Sequence, residues 1–326
     1  MNATRSKPQT MPEDLPTPVV PDHEVLRRIG GGSGGQVWLA RNALGSYRAI
    51  KVVRADAFRH RRPFEQEFEG ILKFEPLSRS HDGLVDILQV GFNEAEGYFY
   101  CVMELADDVA SGQQFSPETY EPRTLAHDYR RLRRLPIEEC VRLGAALASA
   151  LSFLHKHGLI HRDVKPSNII FVGAVPKLAD TGLVTDAADI DSYVGTEGFI
   201  PPEGPGSMSA DIYALGKVLY EISTGNDRHA YPALPAELGN QVEHCDFVEL
   251  NKIILKACRV NPAHRYPTAD AMLLALLNFQ FNADALRRER RLALLTKYAA
   301  IVGALVAFGV VAGIIWRIIW LLKQGS

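Results

Sequence analysis

The sequence predicts an α+β chain of two lobes, a small β-rich one followed by a larger helical one, with a single transmembrane helix behind them. Three observations predict it. Strand-like segments crowd into about residues 23–105 and helix-like segments into about 106–281, an order that separates two packing layers. A polar octet, His161-Arg162-Asp163-Val164-Lys165-Pro166-Ser167-Asn168, sits between a long helical pattern and an apolar run. Tyr298 to Trp316 is an uninterrupted apolar stretch without a charge.

With 326 residues, the chain is long enough for one large domain or two lobes. A hydrophobic content of 47% and a charged content of 23% are those of a globular protein. The net charge of −2 gives a nucleic-acid partner no electrostatic support. Cys101, Cys140, Cys245 and Cys258 are widely spaced and form no C-x-x-C pair, which reads as buried, reduced thiols. Residues 1–22 are rich in proline and polar residues and read as a disordered leader rather than a signal peptide.

The first strand runs from Glu24 into five glycines and emerges at Val37-Trp38-Leu39. Gly30, Gly32, Gly35 and Val37 fit G-x-G-x-x-G-x-V. Glycines let backbone N–H groups approach phosphates closely. Alone, such a run is as often a flexible linker. A strand rather than a helix follows it, which favours a hairpin lid over a dinucleotide site.

Ser46 to Arg54 reads as another strand, with Lys51 set among Ala49, Ile50 and Val52. An exposed lysine is the plain reading, but its spacing after the glycines favours a phosphate contact. Phe64 to Phe74 has helical periodicity and carries Glu65, Glu67 and Glu69. Glu67 is the one chosen to orient Lys51, because Phe64, Phe68 and Ile71 form an apolar face beside it; the alternative is three solvated charges. Leu84 to Val90 and Tyr98 to Leu105 read as antiparallel strands about a turn at 93–97, and Asp107 to Pro122 as a polar loop.

The helical part opens with a basic helix, Leu125 to Leu135. A longer one follows from Ile137 to His157, with Cys140, Leu143, Leu147, Leu151 and Leu154 on one stripe. In the octet, Asp163 can take a proton from an alcohol, Lys165 can hold a phosphoryl group beside it, and Asn168 can ligate a hard metal ion. Asp180, before Thr181-Gly182, supplies a second metal ligand at a strand end. Helices are expected at Asp211 to Ser223, Phe247 to Ala257, Thr268 to Phe281 and over 282–297.

Tyr298 to Trp316, continued by Ile318 to Leu322, is the expected transmembrane helix; about 20 helical residues span a bilayer core of about 30 Å. Arg287, Arg288, Arg290, Arg291 and Lys297 precede it and only Lys323 follows, which puts the N-terminal part in the cytoplasm. With residues 323–326 alone beyond the helix, no sensing domain is expected on the far side. Gly309 and Gly313 fit G-x-x-x-G, the pattern of a homodimer face, though small residues are common in membrane helices.

Taken together, residues 25–281 resemble the eukaryotic-like Ser/Thr protein kinases, which implies a bilobal protein-kinase-like fold. The resemblance implies that Ile29, Gly30, Gly31, Gly32, Ser33, Gly34, Gly35 and Val37 form the glycine-rich loop over ATP. Arg48-Ala49-Ile50-Lys51 is similar to V-A-I-K, and Glu67 resembles the helical partner of that lysine. Met103 resembles the gatekeeper, and Glu104 to Ala106 the hinge that meets adenine. The octet looks like the catalytic loop, with Asp163 as base and Lys165 as the Ser/Thr-class lysine. Asn168 and Asp180 are the implied ligands of Mg²⁺, with Mn²⁺ as the alternative. Pro201-Pro202-Glu203 is similar to A-P-E, and Arg265 to the arginine that pairs with its glutamate. The implied activity is transfer of the ATP γ-phosphoryl group to protein Ser/Thr hydroxyls at the inner face of a membrane. Protein substrates and the bilayer are the implied partners.

Three departures qualify the resemblance. Thr181 stands where the family's D-F-G motif has phenylalanine, and it alone supports an alternative, a membrane-anchored pseudokinase or nucleotide-binding signalling scaffold. The activation segment is short; Thr185, Ser192 and Thr196 are its phosphorylation candidates, with Asp186, Asp189 or Asp191 as a standing charge for Arg162 instead. The stretch Asp107 to Arg123 is longer than a plain hinge linker.

Overall fold

The computed structural model describes residues 16–32, 35–180, 185–186, 195–235 and 241–281, together with Tyr298, Gly313 and Trp316. Contacts divide the chain into two units, Met1–Leu276 and Leu277–Ser326; both lobes and the cleft between them belong to the first.

Five strands make its first sheet: β1 His23–Gly32, β2 Gly35–Asn42, β3 Tyr47–Arg54, β4 Ile87–Asn93 and β5 Tyr98–Met103. Their order is β1-β2-β3-β5-β4, antiparallel throughout. Every residue of β5 is buried, as an inner strand's continuous apolar run requires. The register sets Lys51 opposite Val37 on β2 and Cys101 on β5. Gly35 must be glycine: its φ is +111°, and a Cβ there would come within 2.5 Å of the Val52 carbonyl oxygen.

Helix α1 (Arg61–Ser78) is longer than its apolar periodicity suggests. Pro63 lies in its first turn, where a missing N–H costs nothing. Phe64, Glu67, Ile71 and Phe74 form its buried face. Phe64 and Phe68 stack on Phe92 and Phe99 of the sheet, with centroids 5.2–6.1 Å apart. The buried rings of Phe64 and Phe99 each contribute about 2–3 kcal/mol by removal from water.

The end of the proline-rich leader is held, contrary to the expectation of disorder through residue 22. Val20 is 4% exposed and packs on the outer sheet residues. The Tyr98 hydroxyl accepts from the Val19 N–H at 2.9 Å and donates to its carbonyl at 2.8 Å. A buried apolar side chain and satisfied backbone groups outweigh the leader's polar composition here. Residues 1–15 lie outside the described residues.

The helical lobe is built on α2 (Leu125–Leu132), α3 (Ile137–Lys156), α4 (Met208–Thr224), α5 (Gln241–Ala257) and the part of α6, a helix over 269–281, that runs up to Leu276. All five residues of the α3 stripe are buried. Helix α2 stops at Leu132, short of the expected Leu135. Arg133 turns to φ 67°, and the Leu135 N–H is taken by the Ile222 carbonyl of α4 at 2.7 Å. Ser207 caps α4 at its start, and Gly225, left-handed at φ 77°, at its end. Short strands β6 (Leu159–Ile160), β7 (Ile169–Val172), β8 (Val175–Leu178) and β9 (Thr185–Asp186) carry the polar loops between the lobes.

Among the described residues no helix is long and apolar enough to cross a membrane. The expected transmembrane and juxtamembrane helices, over 282–322, lie almost wholly outside the described residues.

Candidate active site

The two lobes enclose a cleft of about 610 Å³, within the size range of small-molecule and cofactor sites. Its roof is the β1–β2 hairpin: Ile29, Gly30, Gly31, Gly32, Gly35 and Val37 line it. Ser33 and Gly34 lie outside the described residues. Ala49 and Lys51, two residues apart on β3, point into the cleft from one face. Met103, Glu104 and Ala106 form its back and hinge wall. The Glu104 carboxylate is fixed there by Lys177 at 2.6 Å and by the Asp86 N–H at 2.8 Å.

Lys51 Nζ donates to Glu67 Oε1 at 2.9 Å and to Asp180 Oδ1 at 2.6 Å. Of the three glutamates on α1 that sequence reasoning weighed, the buried one is the partner. Burial alone would lower the Lys51 ammonium, but the two carboxylates outweigh it and hold its pKa up. Burial pushes Glu67 up, partly offset by Lys51. For Asp180 burial pulls upward, and the attraction of Lys51 overcomes it, so the group is lowered. The three side chains form a charged cluster with Asp180 ionised. Asp180 has φ 59°, a conformation uncommon for a non-glycine residue and one that recurs at functional sites.

The octet folds on the cleft floor. Asp163 Oδ2 accepts from Lys165 Nζ at 2.6 Å and from Asn168 Nδ2 at 2.8 Å. Asn168 Nδ2 also donates to the Asp163 carbonyl at 3.0 Å, so its amide hydrogens are spent and its oxygen is left as a ligand. The Ala179 N–H donates to the Asn168 carbonyl at 2.8 Å, which sets Asp180 beside Asn168.

Among the described residues no group of three or more His, Cys, Asp or Glu could hold a metal. The amide oxygen of Asn168 with the carboxylate of Asp180 is instead the sparse oxygen set that suits Mg²⁺, which keeps waters and takes phosphate oxygens as further ligands. The residues present fit such an ion.

Three features were not read from the sequence. Thr196, expected as a phosphorylation candidate, donates from Oγ1 to Asp163 Oδ1 at 2.8 Å and accepts from Lys165 at 2.8 Å. Asp211, 1% exposed at the start of α4, accepts from the His161 and Arg162 N–H groups at 2.8 Å each and pairs with His155 at 2.9 Å. A carboxylate in the first turn of an otherwise apolar helix was the signal for it. Tyr120, Pro122 and Thr124, from the long hinge segment and its exit, also line the cleft. The expected Arg265–Glu203 pair is formed, with Nη2 2.8 Å from Oε2 and Arg265 3% exposed. Thr181 and the stretches 182–184 and 187–194 lie outside the described residues.

Comparison with known proteins bears on the family to which the fold belongs. The model of the protein kinase domain matches residues 23–280. The serine/threonine-protein kinase PrkC of Bacillus subtilis is 29% identical over 295 residues, 82% of this chain and 42% of its own length. PknB of Mycolicibacterium smegmatis, also a serine/threonine-protein kinase, is 32% identical over 78% of this chain and 42% of its own. A Drosophila melanogaster protein named membrane-associated tyrosine- and threonine-specific cdc2-inhibitory kinase is 28% identical over 82% of this chain and 51% of its own. The chain thus spans about two fifths to half the length of these curated relatives.

Proposed function

The chain belongs to the family of protein kinase domains, and on that premise we propose that it transfers the γ-phosphoryl group of ATP to Ser or Thr hydroxyls of proteins at the cytoplasmic face of a membrane. The observation that carries the reading is Lys51 bonded at once to Glu67 and Asp180, at 2.9 and 2.6 Å, in the cleft that also holds Asp163. A charged lysine held there is placed to grip nucleotide phosphates. Asp163 would orient the acceptor hydroxyl and take its proton. Lys165, bonded to Asp163, would steady the negative charge of the group in transit. Asn168 and Asp180 would hold Mg²⁺, or Mn²⁺ in its place, whose charge offsets that of the phosphates. The gain comes from positioning and fixed charge.

The membrane part of the reading rests on the uncharged run Tyr298 to Trp316 and the basic residues before it. One relative's name describes it as membrane-associated. Gly309 and Gly313 support a homodimer through that helix.

The deciding experiment incubates the full chain with Mg-ATP and a protein acceptor, beside Asp163→Asn. Phosphate on Ser and Thr with the parent and about a thousandfold less with the variant is the expected result. Equal incorporation by both sinks the transferase reading and leaves the pseudokinase or scaffold. For the anchor, the full chain should stay with lipid vesicles through an alkaline wash, and a chain ending at 281 should not. Release of both proteins defeats the transmembrane assignment.

A further inference from the structure

We propose that residues 107–123 form a strap that latches the two lobes across the hinge, with Arg27 as its positioning residue. The latch would slow nucleotide release from the cleft, and in that respect it rests on the ATP-dependent reading above. Asp107 and Arg123 fasten both ends of the strap to the helical lobe. The Asp107 N–H donates to the Phe171 carbonyl at 2.7 Å, and its carboxylate accepts from the Gly173 and Ala174 N–H groups at 2.8 Å each. The Arg123 N–H returns to the Asp107 carbonyl at 2.8 Å, and its guanidinium lies 4.3 Å from the Phe171 ring centroid. Asp108 folds the segment from within, accepting from the Ala110, Ser111 and Glu121 N–H groups at 2.9–3.0 Å.

The middle of the strap reaches the other lobe. Arg27 of β1 donates from Nε to the Pro117 carbonyl at 2.8 Å, and its Nη2 donates to the Tyr120 carbonyl. Phe115 sits between rings of two elements, 5.1 Å from Tyr47 at the start of β3 and 4.6 Å from Tyr120. Tyr120 is 2% exposed and donates its hydroxyl to the Ala106 carbonyl of the hinge at 3.0 Å. Its ring and Pro122 are part of the cleft wall.

Lobe opening that lets a nucleotide leave would have to pull β1 away from the strap. Arg27 lies two residues before Ile29, at the root of the glycine lid, so its fork resists that motion where the lid begins. A rigid, doubly charge-assisted hold on two carbonyls is what distinguishes Arg here from a point-charge lysine. Release steps of this kind set turnover in many enzymes.

The test uses the full chain in detergent with Arg27→Ala, Arg27→Lys and Phe115→Ala. Release of Mg-ADP is followed by stopped flow, kcat and KM for ATP by steady state, and amide exchange over 23–32 and 107–123 by mass spectrometry. Arg27→Ala should release ADP about tenfold faster and raise KM by a similar factor, with kcat not lowered. Arg27→Lys should recover part of this, and Phe115→Ala should move the same way by acting on the strap itself. Exchange in both segments should rise without nucleotide present. If Arg27→Ala does not fold, the other two variants carry the test. A parent that binds Mg-ADP, with variants that release it at the parent's rate and exchange alike, overturns the latch. A parent that binds no Mg-ADP overturns the functional reading and the latch's role in release with it, while the exchange data still report whether the strap holds the lobes.

Discussion

Lys51 and Asp180 lie 129 residues apart in the chain, yet Nζ and Oδ1 are 2.6 Å apart. Glu67 completes the contact from α1 at 2.9 Å. Three elements of different parts of the fold thus meet at one ammonium. Replacing Lys51 with Met should leave Glu67 and Asp180 without their shared cation and the phosphates without their grip. The expected loss is about 10²–10³-fold in the rate of phosphate transfer. Initial rates on a protein acceptor check it, and a variant within about threefold of the parent would falsify the role given to Lys51.

Thr196 bears on the acceptor side. Its hydroxyl occupies Asp163 Oδ1 while Lys165 occupies both Thr196 and Asp163 Oδ2. Removing the hydroxyl frees one oxygen of Asp163, the proposed base, and loosens Lys165. Thr196→Ala should lower kcat about tenfold with little change in KM for ATP, and Thr196→Ser should retain most activity. Thr196→Glu should abolish transfer, because it sets a second negative charge against Asp163. Steady-state kinetics decide; a glutamate variant as active as the parent would overturn the role given to the Thr196 contacts with Asp163 and Lys165.

Much of this site was legible because its signals are local. The glycine run, Lys51 in an apolar strand and the octet each carry their chemistry within a few residues. Glu67 could be picked from three glutamates because the apolar face of α1 lies beside it. The contacts of Thr196 and Asp211 were hidden, since each acts on the octet from a distant part of the chain. The strap was visible only as excess length, because its meaning lies in carbonyls that Arg27 reaches from β1. The leader misled in the opposite direction: its composition is that of a loose tail, but Val20 finds an apolar surface to cover.

Asp108 makes the strap's cohesion depend on pH. Its carboxyl is held down to about 2, chiefly by the Glu121 N–H, with Ser111 and Ala110 adding to it and burial opposing. A folded pKa below the unfolded value contributes stability in full above the unfolded value of ~3.9 and loses it as pH falls toward about 2. Asp108→Asn should therefore cost on the order of 1–2 kcal/mol at pH 7, and the gap from the parent should close between about pH 5 and pH 2. Urea unfolding at about pH 7, 5 and 3.5 measures it. A gap independent of pH would show that packing, not the carboxylate charge, is what the variant removes.

Asp211 supports the octet from below and tests whether that loop is rigid by its own sequence or by its foundation. Its two oxygens take the His161 and Arg162 N–H groups at 2.8 Å and face His155. Arg162 sits at φ 68°, an uncommon conformation for a residue with a side chain, immediately before Asp163. Without the carboxylate, two buried N–H groups lose their acceptor, at about 1–3 kcal/mol each, and the backbone of Arg162 loses a contact that favours that angle. Asp211→Ala should destabilise the chain by roughly 2–4 kcal/mol and lower kcat at temperatures where it remains folded. Asp211→Asn, which keeps one acceptor oxygen, should fall between the two. The informative comparison is between unfolding midpoint and kcat across the three proteins. If the alanine variant is destabilised but its folded fraction transfers phosphate at the parent's rate, Asp211 serves the fold alone, and the octet holds Asp163 in place by itself.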